Sequence, residues 1–214
     1  MSDWRRKTID ELCDLGGGEV RIGLFGSQLH QSNYSVEGIP VVMPTDISDG
    51  GISEERIAQV SENHVERLAK HKLSKGDIIY GRRDDIGRQS LVRESNIGWL
   101  CGTGCFRVTL GDSEVLPEYS HLFLKIAEVI GWIQNQAIGA TLPNLITQIL
   151  KRVPIYYPFS KLEQKNIVSV VFAYDDLIEN NKRWIALLGK MAEEIYREWF
   201  VRFRLPGHQN TEFE

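Results

Sequence analysis

The C-terminal part of the chain is a long segment in which little would break a helix. The 47 residues between Pro158 and Pro206 contain a single glycine, Gly189. At their start, Ser160 and Glu163 have the spacing of a capping box, which satisfies backbone N–H groups in the first turn of a helix. The segment therefore predicts one helix of roughly 39 residues, about 58 Å at 1.5 Å per residue.

Side chains along this segment recur with alternating spacings of four and three residues. Such heptad spacing is typical of a helix that packs along a partner helix. The alternative is a helix lying on its own domain, but a domain of about 160 residues has a radius of gyration of only ~15 Å. Asn181 is either a buried amide that sets the register or a polar residue at a solvated interface. This predicted interface, called the seam below, comprises Ile167, Val171, Tyr174, Ile178, Asn181, Ile185, Leu188, Ala192, Ile195 and Trp199.

Residues 1–158 have a different sequence pattern, in which short apolar runs alternate with Gly, Pro, Asn and Ser. The runs "GIPVVMPTDI", "GDIIYG", "CFRVTL" and "RVPIYYP" predict strands. Two helices are predicted, "SENHVERLAKHKL" and "LPEYSHLFLKIAEVIGWIQNQ". The first would present Val65, Leu68 and Ala69 on one face, and the second would bury a stripe of Tyr119, Leu122, Phe123, Ile126, Ile130 and Ile133.

No regular alternation of strands and helices points to a parallel doubly wound sheet. The predicted fold class is therefore α+β. It comprises a globular domain with mixed or antiparallel β-structure over 1–158, one long C-terminal coiled-coil α-helix over 159–205, and a tail over 206–214.

Charge is distributed unevenly in a chain whose net charge is −4. Residues 65–93 hold eight Lys and Arg against four Asp and Glu, whereas residues 1–64 hold five against eleven. The acidic total argues against a non-specific nucleic-acid coat. The stretch "LSKGDIIYGRRDDIGRQSLVR" (73–93) is the centre of the basic region and reads as a strand, a basic tip and a second strand. It is either a solvated hairpin or a contact with a polyanion.

Several features bear on location and chemistry. No apolar run approaches the ~18 residues of a membrane span, and the odd number of cysteines suits a reducing cytoplasm, so a cytoplasmic protein without membrane contact is expected. "GEVRIGLF" has the glycine spacing of a P-loop but lacks its Lys-Ser/Thr. Cys101 and Cys105 have no nearby histidine and are interpreted as buried structural thiols. Glu163-Gln164-Lys165 resembles a nuclease ExK, but Glu163 has a capping role. We expect no catalytic residue, no metal and no cofactor bound by this chain.

The order of these motifs resembles the DNA-specificity subunit of type I restriction–modification systems. The resemblance covers nearly the whole chain and is most specific in "KGDIIYGRRDDIG" and in "VPIYYPFSKLEQ", which varies the family's Ile-Pro-x-Pro-Pro-x-x-Glu-Gln pattern. Phe159 stands where the second proline of that pair is usual. A full subunit of the family carries two target recognition domains and two helices, whereas this sequence has one of each. The resemblance therefore implies a half-length form, either a natural half-subunit or a truncated or split product.

The resemblance implies a non-catalytic subunit that directs partners to a bipartite site on double-stranded DNA. The implied partners are a modification (methyltransferase) subunit, which carries S-adenosylmethionine, and a restriction (motor–nuclease) subunit. Residues 1–158 would be the target recognition domain. The seam would pair two chains antiparallel as a two-fold homodimer, or pair this chain with another half-subunit. The alternative function is a protein-interaction or assembly-competitor module that uses the helix without specific DNA binding.

Candidate DNA-binding residues follow from the chemistry of base edges and phosphates. Arginine binds guanine through O6 and N7, and glutamine or asparagine reads adenine. Polar residues at 27–33 form a second candidate surface, and lysines near the hairpin would contact phosphate. The predicted DNA-binding residues are Arg82, Arg83, Arg88, Lys75, Gln28 and Asn33. Asp84 and Asp85 would either position the arginines or neutralise them.

Overall fold

The computed structural model describes residues 3–25, 29, 33–48, 50–82, 86–136 and 145–207. The chain divides into two compact units, Met1–Ser169 and Val170–Glu214. The first unit contains all the described strands and the first turns of the long helix. The second contains the rest of that helix.

Twelve short strands are present in the described residues. They are β1 Trp4–Thr8, β2 Glu19–Ile22, β3 Tyr34–Ser35, β4 Ile39–Val42, β5 Ile47–Ser48, β6 Gly51–Ile52, β7 Ala58–Val60, β8 Ile78–Gly81, β9 Gln89–Leu91, β10 Leu100–Cys101, β11 Cys105–Thr109 and β12 Pro154–Pro158. The α-helices are α1 Ile9–Gly16, α2 Glu62–Val65, α3 Pro117–Leu124, α4 Ala127–Gln136, α5 Thr147–Lys151 and α6 Lys161–Tyr196.

The strands form two four-stranded sheets and two strand pairs. One sheet has the order β2-β11-β8-β9 and is antiparallel throughout. The other has the order β10-β4-β7-β3, in which β10 runs parallel to β4. Strands β1 and β12 pair, as do β5 and β6. This mixed, mainly antiparallel architecture with a long C-terminal helix confirms the predicted α+β fold class.

The four strands predicted from apolar runs are all present as strands. "GDIIYG" becomes β8, which lies inside its sheet between β11 and β9 with all four residues buried. Burial of both faces explains why this strand reads as a continuous apolar run. In β4, Val41 and Val42 pack into different core clusters, because successive side chains point to opposite faces of a sheet.

Pairing of the first and last strands ties the N-terminus to the residues that lead into α6. β1 pairs antiparallel with β12 from Trp4 opposite Pro158 to Thr8 opposite Pro154. Thr8 then caps α1, because its hydroxyl accepts a hydrogen bond from the Glu11 amide at 3.3 Å while the Glu11 carboxylate accepts from the Thr8 amide at 2.6 Å.

The prediction of one helix over "LPEYSHLFLKIAEVIGWIQNQ" is wrong, since two helices meet there. The amides of Lys125 and Ile126 donate to carbonyls three residues back, and this tightening ends α3. Ile126 is consequently 41% exposed and does not belong to a buried stripe. α3 begins at Pro117, and Ile133 of α4 is buried, as predicted for the apolar stripe.

The segment "SENHVERLAKHKL" is also less helical than predicted. It forms the single turn of α2 and a 3-10 turn at Ala69–His71, joined by hydrogen bonds between residues three apart. Val65 and Leu68 are buried as predicted. Ala69 is exposed, because three-residue spacing does not bring it onto the same face.

The long helix is present over most of its predicted length. α6 has 36 residues, which is about 54 Å of α-helix. It continues as a π-helical turn at Arg197–Val201, in which the Arg202 amide donates to the Arg197 carbonyl at 2.9 Å. The Glu163 amide donates to the Ser160 hydroxyl at 3.4 Å, which is the contact predicted for Ser160 as the N-cap of the helix.

Candidate nucleic-acid interface

The basic stretch forms the predicted hairpin. β8 and β9 pair antiparallel, with Tyr80 opposite Gln89, and the Gly81 amide donates to the Arg88 carbonyl at 2.8 Å. Residues 82–88, called the tip below, connect the two strands. Arg83, Asp84 and Asp85 lie outside the described residues.

The outgoing side of the tip is fastened to the body of the domain at Arg82. Its amide donates to the Gly104 carbonyl at 2.8 Å, and its carbonyl accepts from the Leu145 amide at 3.0 Å. Its side-chain Nε donates to the Leu145 carbonyl at 3.1 Å, and the guanidinium lies 5.8 Å from the Phe106 ring centroid. Because Nε is used inside the protein, a DNA contact by Arg82 would have to come from its terminal amino groups.

The returning side of the tip is fastened to α4. Gln134 donates from Nε2 to the Ile86 carbonyl at 2.9 Å, and the Ile86 side chain is buried. Gly87 has φ +127°, and a Cβ there would lie 3.0 Å from Cγ2 of Ile130. Glycine is therefore required at this close approach. Arg88 follows at once and is exposed.

A buried polar pair locks β9 directly after Arg88. Gln89 donates from Nε2 to the His121 carbonyl at 2.6 Å, and its Oε1 lies 3.0 Å from His121 Nδ1. Since Oε1 can only accept, Nδ1 must hold the proton. Burial lowers the pKa of His121 to about 3, with Lys125 and Arg93 contributing in the same direction, so the ring is neutral near pH 7.

This pair was not predicted from the sequence. The available signal was the two-residue alternation of a strand: if Arg88 faces solvent, its neighbour Gln89 faces inward. A buried Gln then needs polar partners, and His121 on α3 provides two.

Lys75 is not near the tip. β8 lies between Lys75 and Arg82, and its four residues span roughly 13 Å. The Lys75 ammonium forms a salt bridge with Glu94, and this hydrogen bond raises the pKa of Lys75. The structure therefore separates Lys75 from the two described arginines, which lie at the opposite end of β8.

Of the polar residues in the second candidate surface, the structure describes Asn33, which borders another sheet. Asn33 is partly exposed and immediately precedes β3, the edge strand of the sheet β10-β4-β7-β3. Gln28 lies outside the described residues, as do Ser27 and Gln31. The described part of this surface does not share a strand or a hairpin with Arg82 and Arg88.

A buried ionic network supports the base of the hairpin. Asp77, 1% exposed, accepts from the Ser74 amide at 2.8 Å and from the Thr109 hydroxyl at 2.5 Å. Desolvation raises the pKa of Asp77, although these hydrogen bonds oppose that effect. Arg107 lies 3.9 Å from Asp77 and donates to Glu19 at 2.8 Å. Arg107 thus stabilises β11 against its neighbours and is not a candidate for DNA contact.

A second buried amide, also missed, organises the start of α6. Gln164 is fully buried. Its Oε1 accepts from the Leu116 amide at 2.8 Å, and its Nε2 donates to the carbonyls of Glu114 at 3.0 Å and Pro158 at 2.9 Å. Three backbone groups from two segments are therefore satisfied by one side chain. The available signal was the Gln that follows Glu163 in "SKLEQ", for which the sequence predicts no structural role.

The apolar side chains of the seam are solvent-accessible in the isolated chain. Apart from Ala192, they are between 36% and 70% exposed, and Asn181 is exposed as well. An apolar stripe of this length is unusual on a solvated surface and is typical of an interaction site.

Within the described residues the structure offers little for metal or thiol chemistry. No group of three or more His, Cys, Asp or Glu side chains there could hold a metal ion. Cys101 and Cys105 are free and buried, in agreement with their interpretation as buried thiols, and Cys13 is free and buried as well. Burial raises the pKa of Cys13 and of Cys101 to about 12. No helix in the described ranges has both the length and the hydrophobicity needed to cross a membrane.

The chain is similar in sequence to specificity subunits of type I restriction enzymes. It is 29% identical over 215 residues to the type I restriction enzyme MjaIX specificity subunit of Methanocaldococcus jannaschii, covering 99% of this chain and 46% of that protein. It is 24% identical over 209 residues to the HindI specificity subunit of Haemophilus influenzae, covering 95% of this chain and 42% of that protein. The chain thus spans a little under half the length of these relatives.

Two solved structures share the fold. The S subunit of a type I restriction–modification system from M. genitalium superposes with a TM-score of 0.66 at 21% identity, covering 94% of this chain and 46% of that one. The HsdS subunit from Thermoanaerobacter tengcongensis superposes with a TM-score of 0.59 at 16% identity, covering 91% and 47%.

The match to a known family extends over most of the chain. Residues 1–188 match the type I restriction modification DNA specificity domain, a range that includes the β8–β9 hairpin, the Gln164 junction and most of α6. The chain therefore belongs to the family of type I restriction modification DNA specificity domains.

Proposed function

We propose that this chain is a non-catalytic, sequence-specific DNA-recognition subunit of a type I restriction–modification system. The observation that supports this best is the tip of the β8–β9 hairpin. Its two flanks are fastened at Arg82 and Ile86, and Arg88 is exposed beside them. A basic loop held by a rigid scaffold suits a domain that must present side chains to DNA at defined positions.

The three arginines of the tip are proposed to have different roles. Arg83 and Arg88 are the candidates for reading guanine in the major groove, where a bidentate contact discriminates by about 1–3 kcal/mol. Arg82, which already donates to Leu145, is better suited to positioning the tip and contacting phosphate. Asn33 and Gln28 form a second proposed surface for base contacts. Lys75, paired with Glu94, is at most a peripheral phosphate contact.

The proposed assembly contains two recognition domains. Residues 1–158 would form each target recognition domain, and residues 159–205 would pair with the same helix of a second copy or with another half-subunit. An antiparallel two-fold pair presents identical domains at the two ends, so its DNA site would be an interrupted palindrome. A modification subunit would supply S-adenosylmethionine and the methyl transfer, and a restriction subunit would join the same complex.

Selection of bound sequences from random double-stranded DNA tests this function. The full chain should be used together with a type I modification subunit. Enrichment of a two-part motif with a fixed gap is expected. If the chain binds DNA but enriches no motif at any salt concentration, sequence-specific recognition is wrong.

The exposed seam also favours a second candidate, a protein-interaction module that competes for assembly without reading DNA. This candidate predicts a complex with the modification subunit that lacks sequence preference. The same selection experiment separates the two functions, because only the first yields an enriched motif.

A further inference from the structure

A second apolar row runs along α6 beside the seam. Val170, Leu177, Trp184 and Met191 recur at intervals of seven residues and are 52% to 59% exposed. Each directly precedes one of the seam positions 171, 178, 185 and 192. In heptad notation the seam occupies positions a and d, and this row occupies position g. A two-stranded coiled coil requires only a and d to be apolar, so the additional row needs its own explanation.

The seam restricts how two antiparallel copies can align. In such a pair each a residue lies beside a d residue of the other copy, and the two residue numbers have a constant sum. With the two-fold axis at residue 183, all ten seam residues find a counterpart. The pairs are Ile167 with Trp199, Val171 with Ile195, Tyr174 with Ala192, Ile178 with Leu188, and Asn181 with Ile185.

Sliding one helix by a heptad leaves part of the seam uncovered. A slide in one direction removes the counterparts of Ile195 and Trp199, and a slide in the other removes those of Ile167 and Val171. Since these four apolar side chains are exposed in the single chain, either slide forfeits buried apolar area at one end of both helices. Of these three registers, the one centred on residue 183 therefore buries the largest apolar area of the seam.

This register determines where the additional row lies. In an antiparallel pair the g positions of both helices flank the same side of the seam and face each other. Leu177 of one copy lies beside Met191 of the other, and Trp184 meets Trp184 across the two-fold axis. On the opposite flank Lys182 faces Lys182 of the second copy, so that side is polar.

Resting on the proposed dimer, we infer that a second copy of this chain covers the seam in this one register, with the two Trp184 side chains in contact at the two-fold axis. The apolar area that the seam exposes is large enough for a stable interface between two copies. The apolar seam side chains expose roughly 800 Å² per copy if a large side chain offers about 200 Å². One partner in a stable interface contributes a similar area, about 800 Å². The row at position g adds apolar surface near the axis.

Cross-linking of single-cysteine variants of the full chain tests the register. The three native cysteines are buried, which limits background reaction with a short bismaleimide. Trp184→Cys is expected to form a covalent homodimer. As matched controls, Leu177→Cys and Met191→Cys should not cross-link alone but should cross-link to each other when co-expressed. This second pair leaves Trp184 intact, so it remains informative if Trp184→Cys weakens pairing.

Other outcomes overturn the inference in distinguishable ways. Cross-linking of Trp184→Cys only with Leu177→Cys, or only with Met191→Cys, would indicate a register displaced by one heptad. Self-cross-linking of Leu188→Cys would indicate parallel pairing. Each of these results would still support a dimer but would contradict the inferred register. If the wild-type chain instead sediments as a monomer at micromolar concentration, the proposed dimer is wrong.

Lys182→Ala gives an independent measurement. In the inferred register it removes a like-charge contact, so the dimer dissociation constant should fall by about twofold at low salt. In the register in which Lys182 faces Asp175 of the second copy, the same substitution removes an attraction and weakens the dimer. A dissociation constant that rises contradicts the inferred register.

Discussion

Individual side chains at the hairpin fall into those that bind the tip to the body of the domain and those that are exposed. Arg82, Gln134 and the Gln89–His121 pair make specific contacts with the body of the domain. Arg88 follows the anchored Ile86 and Gly87 and is exposed. Under the proposed function, an exposed arginine beside these contacts would allow recognition to change without loss of the fold.

Substitution of Arg88 tests its role as a base reader. Arg88→Ala should weaken binding to the selected site by about 1–3 kcal/mol more than binding to random DNA, because a guanine contact is lost. Fluorescence anisotropy at several salt concentrations measures both affinities. Lys75→Ala is the matched control, since that lysine is paired with Glu94, and it should leave the ratio unchanged. Equal weakening on both DNAs would reassign Arg88 to phosphate.

His121 makes the stability of the domain depend on pH. Its pKa in the folded protein is about 3, below the ordinary value of 6.5, so below pH 6.5 the unfolded chain binds a proton that the folded chain resists. Stability is therefore fully present above pH 6.5 and falls as pH decreases, by up to about 1.4 kcal/mol per unit. Urea unfolding at pH 7.5 and pH 5.0 should show this loss.

His121→Gln is the matched variant for that experiment. Burial also lowers the pKa of His71, so a residual slope is expected, but the slope of the variant should be smaller than that of the wild type. An unchanged slope would mean that His121 is solvated in the folded state.

At the scale of elements, the junction between β12 and α6 depends on a single amide. Gln164→Ala leaves the Leu116 amide and the carbonyls of Glu114 and Pro158 without their partner. Each unsatisfied buried group costs about 1–3 kcal/mol, so unfolding free energy should fall by at least about 2 kcal/mol. Chemical denaturation measures the loss. Lys165→Ala, at the exposed neighbouring position, should change stability by less than about 0.5 kcal/mol.

Helices and strands could be predicted from the sequence where a single local feature determines them. β8 is buried on both faces, so its apolar run could be recognised without knowledge of its neighbours. α6 has a capped start and no interruption for many turns. The break between α3 and α4 could not be foreseen, because the apolar period continues through Lys125 and Ile126 while the backbone tightens there.

At the scale of the whole molecule, the exposed seam predicts association. The full chain should sediment as a dimer at micromolar concentration, because the apolar stripe gains by leaving water. Ile185→Asp places a charge in that stripe and should produce a monomer whose near-ultraviolet circular dichroism from residues 1–158 is preserved. A wild-type monomer, or a variant that still dimerises, would contradict pairing through the seam.

Local chemistry along the chain was sufficient to establish the α+β class, the long helix with its heptad period and the strand–tip–strand form of the basic stretch. These features depend on residues close in sequence, where periodicity, caps and turn formers act directly. The partners of Gln164, the buried Gln89–His121 pair and the separation of Lys75 from the tip depend on contacts between residues distant in sequence. No local pattern encodes such contacts, because a buried polar group is satisfied by whichever segment the folded chain brings to it.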